Sequence, residues 1–516
     1  MLVQLFSAAV DGLKATVIQV EINTSQGAKF VMVGLPDNAV KESHERIKAA
    51  LSNAGYRVPT SQTVVNMAPA NIQKEGSGYD LPLALGMMAC NDMVAKDKLK
   101  RYLFLGELGL DGTLRPICGA LPIAIKARQE KFEGMILPME NAREAAVVDT
   151  LKVYGAHHLK EVVDFLNDKG EPLQQTIVDT RKEFFDQQEV FDYDFSEVKG
   201  QENVKRALEV AAAGGHNIIM IGSPGCGKSM MAKRLPSILP PLTLRESLET
   251  TQIHSVSGTL PSGTSLISQR PFRSPHHTIS DVGLCGGGAH FHPGEISMAH
   301  NGVLFLDELP EFNRNVLETL RQPLEDRFIT ISRAKYNISL PCSIMLVAAM
   351  NPCPCGYYND PHHQCECTPT QIKRYMAKIS GPFLDRIDIQ CEISAIPFKD
   401  LSQAKPGEPS AAIRQRVIAA RKIQEERYRE YKHIHCNAQM TERMIHQYAE
   451  PNSESLDMLR MAMERLSLSA RAYSRILKVA RTIADLDGSE QVQLPHIAEA
   501  VGYRNLDRSD WAERGI

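Results

Sequence analysis

The chain has 516 residues, of which 43% are hydrophobic and 23% are charged, and its formal net charge is -3. At roughly 100–200 residues per domain, this length predicts about three domains, and the ordinary apolar and charged fractions exclude a largely disordered or fibrous protein. The near-neutral charge excludes a protein that coats nucleic acid through bulk charge, but it is compatible with a local basic channel.

The sequence also indicates where the protein works. No run approaches the roughly 18 apolar residues that cross a bilayer, and the first residues lack the basic start of a signal peptide. Eleven cysteines in such a chain indicate reduced thiols or metal ligands and not a disulfide framework. We therefore expect a cytoplasmic protein that does not bind a membrane.

Residues 1–170 form the first predicted domain, with an α+β fold. Apolar and polar residues alternate over 18–23, which is the period of a half-buried strand, and a second apolar run covers 30–33. Apolar residues then recur at helical spacing over 40–51. The polar stretch 171–194 has few branched apolar residues and predicts a linker.

The second predicted domain, 195–400, has the α/β fold class. It contains the buried-type apolar runs Asn217–Ile221, Val303–Leu306 and Ser343–Ala348, each followed by a loop and a helical pattern. This alternation predicts a mostly parallel sheet covered by helices. The remaining residues, 401–516, have helical periodicity and predict a helical C-terminal domain.

A phosphate-binding loop follows the first of these apolar runs. It consists of Gly222, Ser223, Pro224, Gly225, Cys226, Gly227, Lys228 and Ser229, and a helical pattern comes directly after it. The glycines let main-chain N–H groups turn toward phosphates, and the helix N-terminus adds partial positive charge. In this context Lys228 is expected to reach the β- and γ-phosphates, and Ser229 is expected to bind Mg²⁺.

The other two apolar runs end in side chains that complete a nucleotide site. Asp307 and Glu308 follow Val303–Leu306 directly. Asp307 is expected to hold Mg²⁺, and Glu308 to orient or deprotonate the attacking water. Asn351 follows the third run, where a neutral amide can position water against the γ-phosphate. The set predicts an enzyme that hydrolyses a nucleoside triphosphate with Mg²⁺.

Four longer stretches carry a family resemblance. They are Asp194–Gln201 (DFSEVKGQ), Arg270–Thr278 (RPFRSPHHT), Asn351–Gly356 (NPCPCG) and Gly381–Asp388 (GPFLDRID). With these motifs the chain resembles, over essentially its whole length, the magnesium-chelatase-like AAA+ ATPases of the YifB/ComM type. The resemblance implies an AAA+ module with a helical lid, assembled into a ring that is expected to be a hexamer. ComM members are associated with natural transformation, as ring-shaped motors that drive DNA branch migration.

The resemblance also implies two arginine roles. Arg386 matches the arginine finger that reaches the γ-phosphate of the neighbouring subunit, where a guanidinium neutralises developing charge. Arg471 matches the second nucleotide-sensing arginine in the helical lid, and Arg475 is the alternative. A surface ion pair for Arg386 and a solvated basic helix face for Arg471 are the competing interpretations.

Two inserts are candidates for contact with DNA in a central pore. Residues 328–338 alternate like a β-hairpin, with Arg333, Lys335 and Tyr336 near its tip. Cations next to an aromatic ring suit a phosphate backbone and unstacked bases. The glycine-rich stretch 286–295 is the second candidate. An ordinary hairpin and an ordinary loop remain the alternatives.

The first domain is also similar to the proteolytic domain of Lon-type proteases, through Gly106–Ile117 and Ile136–Asn141. That family uses a serine nucleophile and a lysine with a lowered pKa. In this register Gly78 occupies the serine position, with Ser77 one residue early, and Leu121 occupies the lysine position. We expect a Lon-like fold without peptidase chemistry.

Two C-x-C pairs lie in one loop after Asn351. Cys353, Cys355, Cys365 and Cys367 could surround one tetrahedral Zn²⁺, which would be structural because no coordination position stays open. Four free thiols are the alternative. The adjacent residues His276 and His277 do not predict a metal site, because neighbouring side chains are expected to diverge and to have no acid or thiol partner nearby.

The leading hypothesis is therefore an ATP-dependent ring-shaped motor that acts on single-stranded or branched DNA, as a helicase or in branch migration, during homologous recombination or natural transformation. A chelatase-type or protein-remodelling ATPase that works through a partner is the alternative. An ATP-dependent protease is a third hypothesis, which the missing serine–lysine pair opposes.

Overall fold

The protein is described here from a computed structural model, and the description covers residues 1–27, 29–288, 291–333, 336–360, 363–394, 407–431, 433–466 and 468–504. In chain order the strands are β1 (Leu2–Asp11), β2 (Lys14–Ser25), β3 (Phe30–Val33), β4 (Gln62–Ala68), β5 (Tyr102–Phe104), β6 (Glu107–Leu108), β7 (Leu114–Arg115), β8 (Gly134–Pro138), β9 (Lys152–Ala156), β10 (Ile218–Gly222), β11 (Phe272–Arg273), β12 (Gly286–Gly287), β13 (His292–Pro293), β14 (Val303–Leu306), β15 (Phe328–Arg333), β16 (Tyr336–Pro341), β17 (Met345–Met350) and β18 (Ile389–Ile393).

The α-helices are Asn38–Asn53, Asp80–Cys90, Ala120–Gln129, Met139–Ala145, Leu159–Leu166, Thr180–Asp186, Glu202–Gly214, Lys228–Arg234, Leu244–Ser257, Asp281–Cys285, Glu295–Met298, Arg314–Thr319, Arg321–Asp326, Pro369–Met376, Gly381–Leu384, Ser410–Arg427, Glu442–Tyr448, Ser453–Leu466, Ala470–Leu486 and Leu494–Gly502. Short 3-10 helices cover Phe195–Glu197, Leu235–Ser237, Leu309–Glu311 and Asn437–Gln439. Among the residues described, no helix is both long and apolar enough to span a bilayer.

The chain divides into two compact units, of which the first contains 1–186 and 244–268. Its seven-stranded sheet has the order β3-β4-β2-β1-β5-β8-β9, with antiparallel pairs among β1, β2 and β4 and parallel pairs elsewhere. The predicted alternation is confirmed in β2, where Ile18, Val20 and Ile22 are fully buried. The likeness of this unit to a Lon proteolytic domain stays a prediction.

The first unit includes a segment, 244–268, that comes much later in the sequence than the rest of the unit. The helix Leu244–Ser257 packs against Ala120–Gln129, and Gly119 N–H donates to the carbonyl of Ser255 at 3.0 Å. The domains predicted from the sequence are continuous, so 244–268 falls in the second predicted domain. The predicted ranges are 1–170, 171–194 (a linker), 195–400 and 401–516. Local periodicity predicts a helix but does not indicate which core the helix covers.

The second unit contains 187–243 and the described residues from 269 onward. Its five-stranded sheet has the order β11-β14-β17-β10-β18, and every neighbouring pair is parallel. The strands β10, β14 and β17 are buried along their whole length, which explains why they are nearly continuous apolar runs. The predicted parallel α/β sheet is therefore confirmed.

The C-terminal part of the second unit is helical, as predicted. In the helix Ala470–Leu486 one apolar face is buried, formed by Ile476, Val479, Ala480 and Ile483. These residues belong to the same hydrophobic cluster as the sheet residues of this unit. The helical region thus packs on the sheet core and is held by the burial of apolar surface.

Candidate active site

The candidate site lies at the carboxyl edge of the parallel sheet. The strands β10, β14 and β17 are neighbours, and the loops that follow them begin at Ser223, Asp307 and Asn351. Carboxyl ends of parallel strands meet at one edge, where ligands bind in open α/β sheets. The topology thus brings together side chains that are up to 128 residues apart in sequence, from Ser223 to Asn351.

The phosphate-binding loop has the glycine conformations that its pattern requires. Gly225 and Gly227 have φ values of +79° and +94°, which only glycine adopts without strain. At Gly222 a Cβ atom would lie 2.4 Å from the carbonyl oxygen of Ile393, so the close approach of β18 also requires glycine. The helix that follows begins at Lys228, and its N-terminus opens toward the loop.

Lys228 lies inside this loop and is only 8% exposed. Its amino group donates to the carbonyl oxygens of Gly222 and Ser223, at 2.7 and 2.9 Å, and to Asn351 Oδ1 at 3.2 Å. These partners are neutral oxygens, so the positive charge stays available to an anion. Cys226 is buried beside Lys228, and burial raises the pKa of its thiol.

Ser229 and Asp307 form a set of oxygen donors next to the loop. The Ser229 hydroxyl donates to Asp307 Oδ2 at 2.5 Å, and Asp307 Oδ1 accepts the N–H of Glu308 at 2.9 Å. Hydroxyl and carboxylate oxygens are the ligands that Mg²⁺ prefers, usually one or two from the protein together with phosphate oxygens. The donor set therefore fits a magnesium ion bound with a nucleotide.

Glu308 has a partner that the sequence did not predict. Its carboxylate lies 3.3 Å from His277 Nδ1, and its backbone is left-handed, with φ +52°. The expectation that His276 and His277 lack an acid nearby is wrong. The strand β11 pairs in parallel with β14, so the loop after β11 lies beside the residues after β14. A two-residue strand is too short for its periodicity to reveal this pairing.

Arg386 is enclosed by neighbours within its own chain and is 9% exposed. Its guanidinium donates to the carbonyl oxygens of Arg321 and Pro382, at 3.0 and 2.5 Å, and pairs with Glu325 at 2.8 Å. None of these partners belongs to the residues that gather at the phosphate-binding loop. Any role for Arg386 at a neighbouring subunit requires its release from Glu325.

The two lid arginines differ in accessibility. The side chain of Arg471 is 68% exposed and pairs with Asp385 at 2.9 Å. Arg475 pairs at 2.8 Å with Asp388, which also accepts from His216. Burial opposes ionisation of Asp388, but the charge of Arg475 and the His216 hydrogen bond outweigh it and hold the pKa of this carboxyl well below its usual range. Arg475 is thus held in a buried pair, and Arg471 remains the more accessible candidate.

The first candidate DNA-binding insert forms the predicted hairpin, and the second, which was expected to be a loop, contains a short strand pair. The strands β15 and β16 pair in antiparallel register from Phe328 with Pro341 to Arg333 with Tyr336. The third residue of the proposed tip, Lys335, lies outside the residues that the structure describes. The second insert forms the short pair β12 and β13, which aligns Gly287 with His292.

Four thiols converge in the loop after Asn351. The Sγ atoms of Cys353, Cys355 and Cys365 lie 3.2 to 3.7 Å apart, and those of all four cysteines, including Cys367, are within 4.8 Å of one another. A tetrahedral Zn²⁺ with bonds of about 2.3 Å has sulfur–sulfur edges of about 3.8 Å. Main-chain N–H groups also donate to two sulfurs, from Gly356 to Cys353 Sγ at 3.2 Å and from Cys355 to Cys367 Sγ at 3.4 Å. The cluster could hold a metal ion such as zinc.

The positions that match the protease dyad have structural surroundings. The Ser77 hydroxyl donates to the carboxylate of Glu107, and Leu121 is fully buried in the core. Near Ser77 in sequence, the Lys74 amino group is buried and donates to the carbonyl oxygens of Pro69 and of Ile72, the latter at 2.8 Å. Burial lowers the pKa of Lys74. The lack of peptidase chemistry stays a prediction.

Three family models match the chain. They describe subunit ChlI of magnesium chelatase over residues 20–141, magnesium chelatase subunit ChlI over residues 194–401, and the C-terminal part of that subunit over residues 407–504. The matches thus extend over both compact units and include every residue of the candidate site.

Several known proteins are similar to the chain. It is 43% identical over 515 residues to competence protein ComM of Haemophilus influenzae, and this alignment covers 98% of the chain and 97% of ComM. It is 42% identical over 499 residues to YifB of Escherichia coli, with 96% of each chain covered. It is 22% identical over 331 residues to the magnesium-chelatase 38 kDa subunit of Rhodobacter capsulatus, which covers 59% of this chain and 84% of that subunit.

Proposed function

This chain belongs to the magnesium-chelatase-like ComM/YifB family of AAA+ proteins, and on that premise we propose that it is an ATP-driven, ring-shaped motor that acts on DNA. The observation that carries the ATPase part is the convergence of Lys228, Ser229, Asp307 and Asn351 at one sheet edge. A buried ammonium group, paired oxygen donors and a neutral amide around a glycine loop are what phosphoryl transfer to water requires.

Each residue of the site has a proposed role in hydrolysis. Lys228 and the loop N–H groups bind the β- and γ-phosphates, and Ser229 and Asp307 are positioned to hold Mg²⁺. When bound with ATP, the ion supplies charge neutralisation at the phosphate oxygens. Asn351 orients the attacking water, and Glu308 accepts its proton. The contact with His277 gives the Glu308 carboxylate a polar neighbour beside the site.

Ring assembly completes the proposed site. Arg386 of one subunit is the arginine finger for the γ-phosphate bound by the next, and Arg471 in the lid senses the same nucleotide. A finger of this kind makes hydrolysis depend on assembly, because the stabilising guanidinium comes from another chain. Loss of the ion pair with Glu325 is the local cost of moving Arg386 into that position.

DNA is the proposed substrate of the motor. The full-length similarity to a competence protein supports a role in homologous recombination or natural transformation, as a helicase or in branch migration. The tip of the hairpin β15–β16, with Arg333, Lys335 and Tyr336 in its sequence, is the proposed contact with the DNA backbone and bases.

Zinc is the proposed occupant of the four-cysteine cluster. Four sulfurs at near-tetrahedral spacing, two of them with N–H donors, favour a closed structural site over free thiols. We expect one Zn²⁺ per purified chain, measured by elemental analysis. A chain that contains no zinc when it is expressed and purified with zinc present would contradict the assignment.

The decisive experiment measures ATP hydrolysis with and without single-stranded and forked DNA. The variant Glu308→Gln is the blank, and we expect it to reduce kcat at least about 100-fold while nucleotide still binds, since it removes only the proton acceptor. Its matched control is Glu311→Gln, because Glu311 is a surface acid paired with Lys378. Stimulation by DNA with unwinding of the fork supports the motor.

A chelatase-type or protein-remodelling ATPase is the second candidate. All three matching family models describe magnesium chelatase subunit ChlI, and the 38 kDa chelatase subunit is similar to part of this chain. Hydrolysis that depends on Glu308 but is not stimulated by DNA would support the ATPase assignment and favour this second candidate over the DNA motor. No hydrolysis in the wild-type chain, at concentrations where it is assembled, would contradict both.

A further inference from the structure

The four-cysteine loop begins at the nucleotide site itself. Asn351, whose side-chain oxygen accepts from the Lys228 amino group at 3.2 Å, is followed by Pro352 and then by the first ligand, Cys353. The loop leaves β17 at the same sheet edge at which β10 leads into the phosphate-binding loop. Only Pro352 separates Asn351 from the thiol cluster, so the position of the cluster and the position of the Asn351 amide are closely linked.

The same loop also packs directly on the phosphate-binding loop. Gly356 has φ +89°, and a Cβ atom there would lie 2.6 Å from Cδ of Pro224. Pro224 is a rigid ring inside the phosphate-binding loop, so the backbone of Gly356 forms part of the wall that holds this loop in place. Gly356 is bonded to the ligand Cys355, and its N–H donates to Cys353 Sγ at 3.2 Å.

A small cavity of about 50 Å³ is lined by residues of both loops and by the end of β18. The phosphate-binding loop contributes Gly222 and Ser223, and the cysteine loop contributes Pro352, Tyr358 and Asn359. Tyr358 and Asn359 lie between the two C-x-C pairs in sequence, so part of this segment lines the space beside the phosphate-binding loop.

We propose that the metal bound by Cys353, Cys355, Cys365 and Cys367 acts as a clamp on the nucleotide site, so that zinc occupancy sets the affinity of the chain for ATP and ADP. The inference rests on the proposed nucleotide and zinc sites. The metal cross-links the ends of the loop and removes conformational freedom from the residues between them. Without it, Asn351 and Gly356 lose the anchor that holds them against Lys228 and Pro224.

Two sites that are coupled in this way must affect each other equally. Typical coupling between sites changes affinity by about 5- to 150-fold, and we expect loss of zinc to weaken nucleotide binding within that range. By the same linkage, saturating nucleotide strengthens zinc binding by the same factor. Zinc transfer to a chelator is therefore expected to require more chelator when ADP is bound. This second readout does not depend on catalysis.

The test uses the full-length Glu308→Gln chain, so that hydrolysis does not consume the ligand. Zinc is measured colorimetrically, and the Kd of a fluorescent ADP analogue is measured on zinc-loaded, chelator-stripped and zinc-reloaded protein. We expect one zinc per chain, weaker nucleotide binding after stripping, and recovery on reloading. Equal Kd values for loaded and stripped protein would overturn the clamp, and so would a chain without zinc.

Two variants separate the clamp from general unfolding. Gly356→Ala keeps all four thiols but brings a Cβ atom against Pro224, so we expect normal zinc content and weakened nucleotide binding. Cys118→Ser, an exposed cysteine of the first unit, is the control and is expected to change neither. Normal nucleotide affinity in Gly356→Ala, with zinc bound, would contradict the contact on which the clamp depends.

Failure of the proposed function gives a different result. If zinc-loaded wild-type chain binds neither ATP nor ADP, the nucleotide site itself is wrong and the clamp fails with it. If nucleotide binds equally well with and without zinc, the assignment of the nucleotide site is supported and only the clamp is overturned.

Discussion

At the scale of single residues, the lid helix Ala470–Leu486 carries a mostly buried lysine beside other charges. Lys478 donates to the carbonyl oxygen of Ala438 at 3.1 Å, and Arg475 and the ionised Asp388 lie nearby. The pKa of Lys478 is lowered to about 8, mainly by burial and secondly by the positive charge of Arg475. In the unfolded chain a lysine has a pKa of about 10.4. Folding with Lys478 protonated therefore costs free energy, because the folded environment disfavours its charge.

The pH dependence of this cost has a definite sign. Below pH 8 the lysine is protonated in both states, and the whole cost is present. Between about pH 8 and 10.4 the unfolded chain binds more protons than the folded chain, so the free energy of unfolding rises with pH, and above that window the cost is gone.

We therefore expect Lys478→Met to stabilise the second unit relative to wild type, most strongly below pH 8, with an advantage that shrinks as pH rises toward about 10.4. Urea unfolding followed by circular dichroism at several pH values measures the difference. Lys422→Met, at an exposed lysine of the neighbouring helix Ser410–Arg427, is the matched control and should show no such trend. A stability difference that is flat across this range would show that Lys478 titrates normally.

At the scale of elements, the strands that build the site could be predicted because they are buried on both faces. Val303–Leu306 was predicted with the bounds of β14, since a fully buried parallel strand is a continuous apolar run that ends where polar site residues begin. The two-residue strand β11 carries no such signal. Its pairing with β14 brings His277 to Glu308, a contact between residues 31 apart that only tertiary structure reveals. Local patterns therefore predict the buried strands and the polar residues at their ends, but they do not predict this neighbour, and the roles of the site residues stay a prediction.

The hairpin β15–β16 is an element whose proposed role can be tested by salt dependence. Each phosphate contact by a cation adds to the slope of log affinity against log salt concentration. We expect the double change Arg333→Gln and Lys335→Gln to weaken DNA binding and to reduce this slope by about 1.4 units, because each contact with single-stranded DNA contributes about 0.7, with basal ATP hydrolysis unchanged. Fluorescence anisotropy with labelled single-stranded DNA measures both quantities.

The control for the hairpin variant changes two cations elsewhere in the second unit. Arg429 and Arg460 are 79% and 68% exposed in the C-terminal helical region, and each forms an ion pair with an acid three residues away. Replacing both with glutamine changes the net charge by the same amount as the hairpin variant. Because these arginines lie outside the proposed hairpin contact, we expect the salt slope to stay near the wild-type value. Equal slopes in the two double variants would remove the hairpin from the DNA interface.

At the scale of the whole molecule, Arg386 is enclosed within its own chain, whereas its proposed role requires it to reach the nucleotide of a neighbouring subunit. Within one chain its guanidinium is paired with Glu325 and donates to two carbonyl oxygens, and in the proposed ring these contacts would have to be replaced before Arg386 reaches a neighbour. Assembly must supply an interaction that outweighs these contacts. An anionic phosphate at the subunit boundary can do so, because arginine binds phosphate in a bidentate manner and stabilises the transition state of hydrolysis.

This division of labour between subunits predicts complementation between two inactive variants. Lys228→Ala removes the phosphate-binding amino group but keeps Arg386, whereas Arg386→Ala keeps the phosphate-binding loop. Each is expected to lose at least about 1000-fold in kcat, the usual contribution of an arginine finger. In rings formed after mixing equal amounts, about a quarter of the boundaries join an intact loop to an intact finger, so hydrolysis should return to about a quarter of the wild-type rate.

The mixed-ring experiment distinguishes action between subunits from action within one chain. If Arg386 served the site of its own chain, no mixture would contain a complete site, and the rate would stay at that of the separate variants. Mixing Lys228→Ala with Glu308→Gln is the control, because both changes lie on the same side of the boundary. In that pair, a site with an intact loop always lacks the proton acceptor, so no ring regains hydrolysis. Recovery in the first mixture alone therefore requires that Arg386 acts on the nucleotide of the adjacent subunit.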